Sequence, residues 1–171
     1  MLKVKYYLPP KALLTIYKSI LLPHVSYCNI VWGSFKSKNH LILLQQKKAI
    51  RLCAGVGYYE NTNPIFNRFK TLKIDDIHIL QLALFMYRFH SRQLPLTFTR
   101  MFQLNSVIHK YPTRSSTNFH LLNPVTALAH KSIRHAGPDT WNTIPPTIRN
   151  ASTLIKFKFA FKQSILSRYL L

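Results

Sequence analysis

Along most of the chain apolar residues recur three and four apart, the spacing of a helix face, and no run alternates cleanly enough to announce a strand. Leu13, Ile16, Tyr17, Ile20 and Leu21 form the first such stripe, behind Pro10, whose missing N–H costs nothing in a first helical turn. Pro23 stops or kinks that helix and starts a second over residues 24–32, with Gly33 past its end. A third helix is predicted over about 39–54, with Gly55 in the left-handed position that closes helices. Residues 55–62 read as loop, and Asn63-Pro64 as an N-cap followed by a proline at the first helical position. The longest helix is expected over about 76–91, capped by Asp75, with Ile79, Leu82, Ala83, Met86 and Tyr87 as its inward stripe.

Beyond Pro95 the pattern weakens. Residues 105–124 are polar and Ser/Thr-rich and read as loop or extended chain. A small β-hairpin is allowed in the C-terminal third, residues 119–122 facing 131–134, with Gly137-Pro138 ending it and a helical turn over 139–142. Pro145-Pro146 then separate a last helix, capped by Ser152 and running to about Tyr169. The fold class is mainly α, a compact helical domain with that optional hairpin. Its organisation reads as a helical region over 1–104 and a loop or hairpin plus C-terminal helix over 105–171, packed as one unit. No internal repeat is visible.

Composition adds the charge. Of 171 residues, 47% are hydrophobic, so disorder is excluded, and 24 Lys and Arg stand against only Glu60, Asp75, Asp76 and Asp139, for a net +20. Charged residues make up 16%, below the usual quarter or so, so the imbalance comes from missing acids. The cations are spread evenly along the chain, which assigns them to the folded surface rather than to a tail. A surface of this kind attracts a polyanion, most simply nucleic acid and less simply an anionic membrane surface. Residues 12–32, the longest apolar stretch, are interrupted by Lys18, Pro23 and His24 and fall short of a membrane span. A secretory signal fits poorly, and Pro9-Pro10 argue against a transit-type leader.

Four acids also limit the chemistry. Asp75-Asp76 has the look of a polymerase metal turn, but it runs directly into a helical pattern and reads as helix capping. His24 and Cys28 are four apart with no further ligands nearby, and His130 and His135 have none either, so no metal site is expected. Cys28 and Cys53 are expected as buried free thiols. No nucleophile elbow or Gly-rich phosphate loop is present, so neither catalytic residues nor a cofactor are assigned. The candidate binding residues are cations and one aromatic. Lys47, Lys48 and Arg51 share a helix face with Leu44, opposite Ile42, Ala49, Ile50 and Cys53, and suit phosphates spaced along a strand. Lys158 and Lys162 repeat the pattern opposite Leu154, Phe157, Phe161 and Ile165. Both faces also read as plain solvated surface. In Lys110-Tyr111-Pro112-Thr113-Arg114, Lys110 and Arg114 can meet phosphates while Tyr111 stacks on an unpaired base or anchors the loop to the core.

A series of short segments, in order, resembles the C-terminal part of the reverse transcriptase of non-LTR retrotransposons, jockey-type or LINE-like. They are residues 16–20 (Ile-Tyr-Lys-Ser-Ile), 22–28 (Leu-Pro-His-Val-Ser-Tyr-Cys), Val31-Trp32-Gly33 and 45–51 (Gln-Gln-Lys-Lys-Ala-Ile-Arg). Next come Pro64-Ile65-Phe66, Leu72-Lys73-Ile74, Phe85-Met86-Tyr87, Leu94-Pro95, Tyr111-Pro112-Thr113-Arg114, Gly137-Pro138, Trp141-Asn142-Thr143-Ile144-Pro145 and Phe157-Lys158. Tyr27-Cys28 stands where the family commonly has Tyr-Gly. The resemblance implies thumb and post-thumb helices that hold template and primer, downstream of a palm whose Tyr-x-Asp-Asp turn this chain lacks. It implies a non-catalytic fragment, a truncated element or a piece of a longer frame, with RNA, DNA or RNA:DNA hybrid and the upstream polymerase domains as partners. It implies no membrane partner and, for a retroelement-derived chain, a nuclear or cytoplasmic setting, while the residues themselves leave the localisation unknown. From charge alone the alternative is a basic structural subunit of a ribonucleoprotein such as a mitochondrial ribosome.

Overall fold

A computed structural model describes residues 6–109, 111 and 114–170, and it is mainly α. The helices are α1 (Pro10–Ile16), α2 (Leu22–Ser26), α3 (Asn29–Trp32), α4 (Lys36–Ala54), α5 (Asn63–Arg68) and α6 (Ile74–His90). They continue with α7 (Asn105–Ile108), α8 (Ala127–Lys131), α9 (Ile133–Thr143), α10 (Pro146–Arg149) and α11 (Leu154–Ser167). The chain divides into two compact units, Met1–His78 with Gln163–Leu171, and Ile79–Lys162.

In the first unit α1 passes into α2 through a π-helical turn, Tyr17–Leu21, where the Leu22 N–H reaches back to the Tyr17 carbonyl. A proline in a helix removes a hydrogen bond and crowds the carbonyl four residues back. The wider turn lets the helix continue past Pro23 without a break. The second predicted helix, 24–32, is instead two, because Tyr27 is extended and Cys28 left-handed (φ 47°) between α2 and α3. α4 begins three residues earlier than expected and ends as expected, on Gly55 at φ 69°. It is also the longest helix, 19 residues against 17 for α6.

Leu13, Tyr17, Ala49, Ile50, Cys53, Phe66 and Ile74 make the core of this unit. Inside it Gln46, fully buried, donates to the Tyr17 hydroxyl (2.9 Å) and the Leu72 carbonyl (2.8 Å) and accepts from the Ile74 N–H (3.0 Å). Burial pushes the Tyr17 hydroxyl up to about 12 and the Cys53 thiol up to about 11. Gly33 is equally constrained, since a Cβ there would lie 2.5 Å from the Asn29 carbonyl oxygen and 2.6 Å from His78 Nδ1.

In the second unit Tyr87, Trp141, Phe157 and Phe161 form a run of near-parallel rings, Tyr87 to Phe157 (4.6 Å), Trp141 to Phe157 (5.8 Å) and Phe157 to Phe161 (5.9 Å). Phe89, Phe102 and Phe119 meet edge to face or tilted beside it. The predicted stripe of α6 is largely confirmed, with Leu82, Ala83, Met86 and Tyr87 buried.

The hairpin is not formed. Lys131 ends α8 and Ile133 and Arg134 begin α9, with Ser132 as the extended residue between them, and α9 continues through Gly137-Pro138, where Gly137 lies against Met86. The other half is extended but pairs elsewhere. Leu104 and Phe119 form an isolated antiparallel bridge, and the His120 N–H donates to the Gln103 carbonyl (2.8 Å). On the other side the Asn142 amide accepts from the Phe119 N–H (3.0 Å) and donates to its carbonyl (2.8 Å), doing the work of a second strand. The last helix starts one residue later than predicted, with Thr153 Oγ1 accepting from the Lys156 N–H at 3.3 Å.

Candidate nucleic-acid interface

No lysine or arginine among the residues whose burial is described is buried. The first unit holds thirteen cations and three acids and the second eleven and one, so each carries a formal +10.

On α4 the predicted division of faces holds, with Ala49, Ile50 and Cys53 inward and Lys48 exposed. Lys47 and Arg51 are half-buried at the edge of the outward face. Arg51 is also tied down. Its Nε donates to the Glu60 carbonyl at 2.9 Å, and its guanidinium carbon lies 5.9 Å from the centre of the Tyr58 ring. Lys73 lies close enough to Lys47 for their charges to oppose one another, and burial is the main cause of the lowered Lys73 pKa.

In the second unit Lys158 is exposed and Lys162 half-buried on the outward side of α11, opposite buried Phe157 and Phe161. Ile155 and Phe159 are exposed on that outward side too, at the i, i+3, i+4 spacing that puts them beside Lys158 and Lys162. Tyr111 is 81% exposed, which removes the core-anchor reading for this residue, and Arg114 is exposed as well. Lys110, Pro112 and Thr113 lie outside the described residues. The α4 cations thus belong to one unit, and Tyr111, Arg114, Lys158 and Lys162 to the other.

Two exposed aromatics stand next to Arg51 at the C-terminal end of α4. Tyr58 and Tyr59 are 63% and 93% exposed and meet edge to face at 5.2 Å. The signal in the sequence is the pair of adjacent tyrosines in a short loop directly after the cationic helix.

The acids have structural positions. Asp75 and Asp76 sit in the first turn of α6, where negative charge suits the helix dipole. Asp75 is not the cap, however. The free N–H groups at this end go to distant partners, Ile74 to Gln46 Oε1 and Lys73 to the Tyr169 hydroxyl (3.1 Å). Asp75 Oδ1 accepts from Asn39 Nδ2 at 3.0 Å, and Asp76 Oδ2 accepts from the Tyr169 hydroxyl. Burial raises the Asp76 pKa against the opposing pull of Tyr169 and Lys73. Burial and the neighbouring Asp76 raise that of Tyr169.

Among the described residues no three His, Cys, Asp or Glu side chains gather as metal ligands. His130 and His135 do come together, ring centres 4.7 Å apart. Cys53 is buried as expected, but Cys28 is exposed, because its left-handed backbone at the α2–α3 break turns it outward. Among the described residues no helix is long and apolar enough to cross a membrane. The second unit also has a cleft of about 670 Å³ over Phe89, Phe102 and Phe119, with His90, Arg92 and Gln103 on its walls.

The chain matches no protein-family model, no curated protein and no solved structure.

Proposed function

We propose that this chain is a non-catalytic, sequence-independent nucleic-acid-binding fragment of a retroelement RNA-directed DNA polymerase, the part that holds template and primer. The observation that carries the reading is the charge. Each unit bears +10, and four acids in 171 residues leave the cations largely uncompensated unless a polyanion does so. The polymerase parentage rests on the ordered segments that resemble the non-LTR family, and a mainly helical chain is compatible with thumb-like helices. Asp75 and Asp76 are committed to Asn39 and Tyr169 in a helix turn, which supports reading them as structural acids rather than metal ligands.

The test is a salt titration of the full chain on an RNA:DNA hybrid. With about six phosphate contacts, log affinity should fall against log salt with a slope of roughly −5, about a thousandfold between about 50 and 200 mM. A flat titration rejects the reading. Replacing Lys47 and Lys48 together by Ala should lower the slope by roughly 2 with little change in helical signal. Equal competition by structured RNA would favour the ribonucleoprotein-subunit alternative, and metal-dependent nucleotide incorporation by the chain would overturn its non-catalytic assignment.

A further inference from the structure

The loop after α4 is built around two rings that the core does not use. Past Gly55 the Val56 N–H returns to the Arg51 carbonyl (3.2 Å), closing the helix, and the Glu60 N–H donates to the Gly57 carbonyl (3.4 Å). Tyr58 and Tyr59 therefore occupy the two middle positions of a four-residue turn, 57–60. The Arg51 Nε bond to the Glu60 carbonyl fastens that turn to α4, and the same guanidinium lies over Tyr58 within the range of a cation–π contact. Tyr58 is thus held from one side by Arg51 and from another by the edge-to-face contact with Tyr59. Tyr59, at 93% exposure, has its ring in solvent.

We propose that the Tyr58-Tyr59 turn is a base-stacking platform for an unpaired nucleic-acid strand, whose phosphates lie along Lys47, Lys48 and Arg51. This rests on the nucleic-acid-binding reading above and names the site and the strand form. Base–aromatic stacking is open to any base with a free face, which a single strand offers and the interior of a duplex does not. Arg51 uses one of its five N–H groups on Glu60, leaving its terminal nitrogens to clamp a phosphate bidentately. Because the turn is already fastened to the helix, little ordering remains to be done when the strand binds. Glu60, the last residue of the turn, is exposed, and its negative charge works against a bound phosphate. Removing its charge should therefore tighten the complex.

The experiment uses the full chain with a fluorescent oligothymidylate and, separately, a blunt DNA duplex of equal length at low salt, read by anisotropy. Tyr59→Ala should weaken oligothymidylate binding by about tenfold or more, with a far smaller effect on the duplex. Tyr59→Phe, which keeps the ring, should retain the affinity, and Glu60→Gln should raise it. Tyr59 buries so little surface that the helical signal of Tyr59→Ala should match that of the parent. Equal oligothymidylate affinity for Tyr59→Ala and the parent overturns the stacking platform and leaves the broader reading standing. A parent chain that binds neither oligonucleotide overturns both.

Discussion

Single residues carry much of the first unit, and Gln46 shows how. Its amide serves the Tyr17 hydroxyl, the Leu72 carbonyl and the Ile74 N–H, all in the interior. Gln46→Ala leaves three buried polar groups without partners as well as a void, so it should cost on the order of 3 kcal/mol, read as a lowered denaturant midpoint. Gln46→Glu keeps the shape but puts a carboxyl where an amide donates, and should also destabilise. Gly33→Ala should be as severe, because the new methyl meets backbone oxygen and the buried His78 ring rather than a flexible side-chain tip. His78 itself predicts a pH dependence. Its Nδ1 lies 3.0 Å from the Asn29 carbonyl, which can only accept, so Nδ1 carries a hydrogen, and burial lowers the pKa of the ring. The unfolded chain then takes up the proton first. The stabilisation is whole above the ordinary value of 6.5 and is lost as pH falls through the lower folded value. Melting temperature should drop as pH falls from 6.5 towards the folded value, and part of the drop should vanish in His78→Gln. Asp76 acts in the opposite sense. With its pKa raised by burial, its contribution is full below the ordinary 3.8 and is lost as pH rises through the folded value.

At the scale of elements, helix spacing was legible and pairing partners were not. The α4 faces, the Gly55 cap and the α6 stripe follow from periodicity, because a helix satisfies its own backbone and needs only one apolar side. An extended run must borrow partners, and nothing in residues 119–122 indicates that they come from 103–105 and from the side chain of Asn142. Arg149 reinforces that choice, donating from Nε to the Ile144 carbonyl, from one terminal nitrogen to Asn118 Oδ1 and from the other to the Asn142 carbonyl. Asn142→Ala should therefore cost about 2 kcal/mol and free the Phe119 amide to exchange hydrogen rapidly, while the α4 amides keep their protection. The expected cap at Asp75 failed for a related reason. A local carboxylate was available, yet the N–H groups of Ile74 and Lys73 are taken by Gln46 and Tyr169.

For the whole molecule the dominant quantity is the uncompensated charge. With +20 and few acids, like charges repel one another in the folded state more than in the expanded one. In the absence of nucleic acid, melting temperature should rise as ionic strength increases from about 0.01 to 0.2 M and the Debye length shrinks to less than 10 Å or so. Adding a polyanion at low salt should raise it further. A melting temperature indifferent to salt would mean that the cations are locally compensated. The even distribution along the sequence already placed the charge on both units, but it could not show which cations stand free in solvent. Lys48 and Lys158 do, whereas Arg51 and Arg149 are engaged by backbone carbonyls.

The sequence by itself determined the helical class, the positions of most helices and the sign and size of the charge, since periodicity, turn residues and composition are local or additive properties. The tertiary structure decided what those local properties leave open. It wrapped the chain past Pro23 in a π turn, gave Gln46 to the core and not to the cationic face, and chose Asn142 as the partner of Phe119. It also set Tyr58 and Tyr59 out in solvent, with Tyr58 against Arg51. Each of these choices depends on which distant polar groups or apolar surfaces come within a few ångströms once the helices pack, and spacing along a chain does not encode that distance.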